Sequence, residues 1–176
     1  MPWLYYNAFK KSFKNSPLRG IKGNSVILLL FSLLALTIGF YNNVFVLSFI
    51  NSFRALILPV TMFVMPCFME EFFFRGIFMA LFCWKAGLVR KIFFIIFSSV
   101  IFTAWHPLNA GWFNESAETY FYNPSFLMIV FALGLVCSII YLRSKSFWAP
   151  VIVHWLVVMV WVFLLNGHNT VKNILF

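Results

Sequence analysis

The chain has 176 residues, of which 63% are apolar and 10% are charged, and its formal net charge is +9. Soluble domains contain about 45–50% apolar and about 25% charged residues, so this composition excludes an ordinary soluble domain. Disorder is excluded as well, because disordered chains contain few apolar residues. The composition therefore predicts an all-α polytopic membrane protein with one compact bundle.

Five apolar segments are candidate membrane-spanning helices; four are close to the roughly 20 residues that a bilayer requires, and the second, at 55–84, is considerably longer. They cover Val26 to Tyr41, 55–84, Lys91 to His106, Ser125 to Leu142, and Phe147 to Leu165. The sequence thus predicts a bundle of about five helices. It divides into a basic cytoplasmic segment at 1–25, one membrane-embedded domain at 26–166 and a short tail at 167–176.

Prolines and polar residues mark the expected ends and breaks of these helices. Pro59 and Pro66 interrupt the second segment, and they predict a re-entrant or kinked stretch at 55–66 before a helix begins near residue 67. Pro107 disfavours helical geometry at the residue before it, so the third helix should end near His106. Residues 107–124 should then form a loop, and Ser146 is a candidate N-cap for the last helix.

Basic residues lie in short clusters beside the apolar segments. Five precede the first segment, three follow the second at Lys85, Arg90 and Lys91, and two follow the fourth, whereas only Arg54 and Lys172 fall at the other ends. This bias predicts a cytoplasmic N-terminus, an outside C-terminus and contacts with anionic lipid headgroups. Because no polar face interleaves bases with aromatic residues, the sequence predicts no nucleic-acid partner.

Glu70 and Glu71 are adjacent acidic residues inside the second apolar segment. A charge at the bilayer centre costs about 2.5–3.5 kcal/mol on insertion scales, so such residues indicate a functional site. Arg75 lies four residues after Glu71, one helical turn away, and should pair with it. Such a pair leaves Glu70 without a partner. A purely structural trio remains the alternative.

Two histidines lie within the last three spans and could meet the glutamates. Counting from the basic ends of their helices, Glu70 and His106 should both lie about 22 Å deep, and His154 only about 12 Å deep. The depths therefore match better for His106 than for His154. His168 is expected to be a solvated tail residue, and the three cysteines are expected to be small apolar groups, not a disulfide framework.

These residues carry a resemblance to a known family. Glu70-Glu71-Phe-Phe-Phe-Arg75 resembles the EExxxR signature of the CAAX-protease and bacteriocin-processing (CPBP, or Abi) family of intramembrane glutamate proteases. Phe102-Thr-Ala-Trp-His106 resembles the next motif, FxxxH, and His154 takes the place of the third, HxxxN or HxxxD, although Val158 replaces the final Asn or Asp. His106-Pro-Leu-Asn109 and the residues after His154 also resemble a small bacterial branch linked to C-terminal sorting signals.

The resemblance implies an endopeptidase in a bacterial inner membrane that acts on a membrane-associated protein or peptide. It implies Glu70 as general base, His106 as a second contact to the attacking water, and His154 as a donor to the oxyanion. Arg75 would then orient Glu71. Because Val158 has no donor, Asn109 and Trp161 are candidate substitutes at the oxyanion.

Other readings stay open at this stage. Glu70, His106 and His154 could together bind Zn²⁺, although no HExxH motif occurs and a metal-free glutamate mechanism is favoured. A small proton-coupled transporter would also use Glu and His, but no internal repeat supports alternating access. A non-catalytic immunity or scaffold protein is the third alternative, and it gains support from Val158. The sequence does not identify the substrate or the oligomeric state.

Overall fold

A computed structural model describes residues 2–50, 53–83 and 86–171, and 84% of it is helical. The main helices are α1 (Pro2–Lys14), α2 (Ile21–Tyr41), α3 (Ala55–Cys83), α4 (Leu88–Phe113), α5 (Pro124–Ser144) and α6 (Trp148–Leu164). Short helical turns follow at Glu115–Ala117, Glu118–Phe121 and Gly167–Val171. The chain is an all-α polytopic membrane protein, as the composition predicts.

Helices α2 to α5 are long and apolar enough to cross a membrane, and α6 is a shorter apolar helix of 17 residues. Helix α5 is the central one, because 56% of its apolar window is buried, against 17–22% in the other three. It packs against α2, α4 and α6, and it contributes seven of the sixteen buried side chains of the largest core cluster, more than any other described helix.

Helix α3 is kinked, which agrees with the break predicted at 55–66. Met65 has an extended backbone (φ −132°, ψ 119°), and Pro66 follows it inside the helix. The stretches Phe63–Phe68 and Phe72–Met79 are π-helical, and Met69–Glu71 between them is α-helical. The predicted end of this span at Trp84, the flanking Lys85 and the tail from Lys172 to Phe176 lie outside the described residues.

Three local predictions are wrong. Helix α4 continues through Pro107 to Phe113, because Ala110 beyond the proline is fully buried in the bundle and this packing outweighs the lost backbone bond. Ser146 is not an N-cap, since its hydroxyl donates to the Asn15 carbonyl at 2.8 Å and Phe147 occupies the cap position. His168 is half-buried within the turn Gly167–Val171, so it is not a solvated side chain.

The connections gather at two ends of the bundle. Asn15, Lys145 and the N-terminal helix lie together at one end, which we call the basic end. At the other end, which we call the acidic end, the exposed Glu115 and Glu118 lie in the connection between α4 and α5. That connection is tied to the C-terminal turn, since the Tyr120 hydroxyl donates to the Asn166 carbonyl at 2.9 Å. Burial raises the pKa of Tyr120, so the hydroxyl keeps its proton.

Candidate active site

The two adjacent glutamates face different surroundings. They lie in the short α-helical stretch Met69–Glu71, directly after the kink at Met65 and Pro66. Successive residues of an α-helix point about 100° apart, so one carboxylate can face the bundle interior while the other faces a neighbouring space. π-helical stretches such as those on either side of the glutamates are frequent at functional sites.

Glu71 forms the predicted pair with Arg75. Both side chains are completely buried, and Arg75 Nη1 donates to Glu71 Oε1 at 2.9 Å. The same oxygen accepts from His154 Nδ1 at 3.1 Å. Glu71 thus fixes the ring of His154 and directs its other nitrogen, Nε2, away from the ion pair.

Arg75 is also held from the opposite side by helix α5. Its Nη2 donates to the Gly134 carbonyl at 2.8 Å, and its guanidinium lies 4.9 Å from the centre of the Phe102 ring. A side chain at Gly134 would meet Ser99 of α4 at 3.1–3.2 Å, so glycine allows the two helices to approach closely here. Arg75 contacts protein groups on both sides and lies away from any open space.

Glu70 faces the neighbouring space with one oxygen free. Its Oε1 accepts from Trp105 Nε1 at 3.2 Å, and its Oε2 has no hydrogen-bond partner among the described residues. His154 Nε2 lies 3.9 Å from this Oε2, which is too long for a direct hydrogen bond. A water molecule can bridge two polar atoms at such a distance.

His106 lies on α4 and is buried. Its Nδ1 lies 2.9 Å from the Phe102 carbonyl, so we assign the proton to Nδ1, which leaves Nε2 with its lone pair. The ring also packs edge-to-face against Phe121 at 4.9 Å. No hydrogen bond joins His106 to either glutamate within the described residues.

A cavity of about 370 Å³ brings the candidate side chains together. Most of its lining is apolar, and its polar members are Glu70, His106, Asn109, Asn114, His154 and Thr170. Trp161 and Val158 line the same cavity, and the Trp161 Nε1 proton has no acceptor. Glu71 and Arg75 are not part of the lining, which agrees with their positions behind the cavity wall.

Two features of the site differ from the sequence expectation. Among the described residues His154 is the histidine closest to Glu70, whereas the helical depths favour His106. The bond of His154 Nδ1 to Glu71 holds the ring beside Glu70. The sequence motifs indicate no role for Trp105, yet its Nε1 donates to Glu70 Oε1 at 3.2 Å. Its position next to His106, within the resemblance to FxxxH, was the available signal.

The side chains that could bind a metal ion decide how well the site fits the zinc alternative. Among the described residues, no three His, Cys, Asp or Glu side chains are grouped so that they could hold a metal ion. Glu70, His106 and His154 border the same cavity but are not a preformed ligand set. Cys67, Cys83 and Cys137 are free and buried, as their apolar surroundings predict.

The comparisons with known proteins identify the family. The family model described as type II CAAX prenyl endopeptidase Rce1-like matches residues 51–160, which include Glu70, Glu71, Arg75, His106 and His154. No curated protein and no solved structure matches the chain. Since the match covers more than half of the sequence, the chain belongs to the Rce1-like family of CAAX endopeptidases. At the level of this family it is an integral membrane protease.

Proposed function

We propose that the chain is an intramembrane endopeptidase that uses Glu70 to activate the attacking water. The observation that supports this most directly is the different environment of the two glutamates. Glu71 is bonded through its Oε1 to Arg75 and His154 and does not line the cavity, whereas Glu70 lines the cavity and its Oε2 has no hydrogen-bond partner among the described residues. A general base must reach the proton that it removes, and of the two glutamates Glu70 is the one that lines the cavity.

The proposed reaction is a general-base hydrolysis. We place the attacking water between Glu70 Oε2 and His154 Nε2, which are 3.9 Å apart, with His106 lining the same cavity. Glu70 takes a proton from this water as the water oxygen bonds to the substrate carbonyl carbon. When the resulting tetrahedral intermediate collapses, the C–N bond breaks and Glu70 returns the proton to the leaving amine. The Trp105 bond to Oε1 keeps the carboxylate oriented with Oε2 towards the cavity.

The oxyanion requires donors near the water. Trp161 Nε1 is an indole donor without a partner in the cavity, and Asn109 is the other candidate. We propose that one of them replaces the donor that Val158 does not provide. His154 can contribute only when its Nε2 carries a proton.

We further propose that the protein resides in a bacterial inner membrane with its basic end in the cytoplasm. Lys10, Lys11 and Lys14 are at this end, and Glu115 and Glu118 are at the other. This arrangement agrees with the excess of Lys and Arg on the cytoplasmic side of membrane proteins. The N-terminus would be inside and the C-terminus outside, and anionic lipids would contact the bases.

The function is tested with Glu70→Gln, which removes the base and keeps the shape of the side chain. Membrane proteomes of cells with the parent and with the variant are compared for a precursor that stays uncut only in the variant. Glu115 is an exposed glutamate at the acidic end, so Glu115→Gln is the matched control. Cells with this variant should cleave the precursor normally. Full processing in the Glu70→Gln strain would refute the mechanism.

The alternatives give different results in the same system. A zinc enzyme would lose activity in a strong chelator and regain it with Zn²⁺, whereas the glutamate mechanism is insensitive to chelators. A proton-coupled carrier would move ions in vesicles. A scaffold would retain its partner after the Glu70→Gln change and would leave no precursor uncut.

A further inference from the structure

Helix α1 covers the basic end of the bundle. In the described part of the chain, four hydrogen bonds attach its C-terminal half and the following residue to the connection between α5 and α6 and to the first residue of α6. Phe147 N donates to Ser12 O at 3.0 Å, and Trp148 Nε1 donates to Phe13 O at 3.0 Å. Asn15 Nδ2 donates to Lys145 O at 2.6 Å, and Ser146 Oγ donates to Asn15 O at 2.8 Å. The helix is therefore docked on the bundle and is not a loose basic tail.

Six aromatic side chains fill the space beneath this helix, and we call them the aromatic plug. Its members are Phe9, Phe13, Phe68, Phe72, Phe147 and Trp148. Phe13 stacks on Phe147 at 4.3 Å, and Phe68 and Phe72 stack at 6.1 Å. Phe68 and Phe72 lie two residues before and after Glu70, and they contact Phe9, Phe147 and Trp148 at the basic end. The plug therefore fills the space between the proposed base and that end.

The cavity extends from Glu70 in the opposite direction. Its lining includes Asn114 and Thr170 at the acidic end but no residue of α1 or of the aromatic plug. Two further lining residues are largely exposed, Met65 at 60% and Phe113 at 72%, so the cavity borders the surroundings there. The site is thus closed at one end of the bundle and approachable from the other.

We propose that substrates reach Glu70 only from the acidic end, between the kink at Met65 and the end of α4. This inference rests on the proposed function and deepens it. With the basic end in the cytoplasm, the substrates are membrane-anchored proteins whose cut bond lies on the outer side of the membrane. Substrates whose cut bond lies in the cytoplasm are excluded by the aromatic plug.

Cysteine labelling tests the direction of access without a substrate. Val130→Cys and Val158→Cys replace two cavity-lining residues on different helices with a side chain of similar size. A negatively charged, membrane-impermeant methanethiosulfonate is added to spheroplasts and to inside-out vesicles. Lys14→Cys and Glu118→Cys report the two ends, since both positions are exposed. The parent, whose three cysteines are buried, sets the background.

We expect both cavity variants to be labelled only from the side that labels Glu118→Cys. Labelling from the Lys14→Cys side, from both sides or from neither would overturn the proposal. The two cysteine positions lie on different helices, so that one misfolded variant does not decide the outcome. Before labelling, size-exclusion chromatography in detergent must show that each variant elutes like the parent.

The cleavage site of any precursor that accumulates in the Glu70→Gln strain provides the second measurement. We expect the site on the outer side of the membrane segment of the precursor. A cleavage site on the cytoplasmic side would overturn the direction of access and leave the protease function intact. If no precursor accumulates, the protease function fails, while the labelling result still stands.

Discussion

At the scale of single residues, Glu71 and Arg75 are expected to support the fold as well as the chemistry. Glu71→Gln or Arg75→Ala leaves a buried charge without its partner, which destabilises by about 3–5 kcal/mol. Both variants should therefore lower the yield of folded protein together with activity, whereas Glu70→Gln should lower activity alone. Yield in detergent and cleavage rate per folded protein separate these effects. A normal yield of Arg75→Ala would contradict the structural role inferred from its complete burial.

Trp105 is expected to position Glu70. Trp105→Phe removes the donor to Oε1 and keeps most of the ring. Hydrogen bonds to charged groups contribute about 1.5–3 kcal/mol, so kcat should fall about 10- to 150-fold while KM changes little. Trp112→Phe is the matched control, because Trp112 lies on the same helix and is 70% exposed. An equal loss in both variants would indicate a general effect on α4 instead.

The missing donor at Val158 leads to another prediction. Val158→Asn introduces a polar side chain into the cavity beside His154 and should leave turnover unchanged or raise it. Asn109→Ala or Trp161→Phe should lower turnover by about 10²–10³-fold, whichever residue donates to the oxyanion. Val158→Leu, which adds no donor, is the control. If Val158→Asn abolishes activity and neither other change matters, His154 does not occupy the third motif.

At the scale of helices, the contact between α4 and α5 depends on Gly134. Gly134→Ala would press a methyl group against the Ser99 backbone, close to the carbonyl that binds Arg75. Overpacking of this kind costs about 1–3 kcal/mol, so thermal stability in detergent should fall. Gly87→Ala is the control, because a methyl group there meets nothing within 4 Å. Unchanged thermal stability of Gly134→Ala would mean that α4 and α5 can move apart without a loss of folding free energy.

The apolar segments predicted all five helices of the bundle because length and hydrophobicity act locally. The break at Met65 was predictable from Pro66, since a proline interrupts the backbone bonds of its own helix. The continuation of α4 past Pro107 was not, because it depends on the burial of Ala110 against other elements. The docking of α1 was likewise hidden, since its bonds join residues about 130 positions apart in the sequence.

In the site, too, local features were predictable from the sequence and contacts between helices were not. The pair of Glu71 and Arg75 was predictable because one helical turn separates them. The bond from Trp105 to Glu70 was not, because it links two helices and depends on their rotation. A count of helical rise does not predict that His154 lies beside the glutamates, because this contact depends on how α3 and α6 pack.

At the scale of the whole molecule, the arrangement of charges predicts the topology. Helix α1 and the connection between α5 and α6 lie at the basic end, whereas Ser48 and Leu165 pair at the other end. We propose that the shorter helix α6 crosses the membrane together with α2 to α5, and five crossings with an N-terminus inside require a C-terminus outside. Green fluorescent protein, which folds only in the cytoplasm here, and alkaline phosphatase, which is active only outside, are fused in turn to each terminus. We expect fluorescence at the N-terminus and phosphatase activity at the C-terminus. Fusions after Ser144 and within the Glu115–Ala117 turn serve as internal references for the two ends. Fluorescence at both termini would mean an even number of crossings, and the kinked helix α3 would then be the one that enters and leaves on the same side.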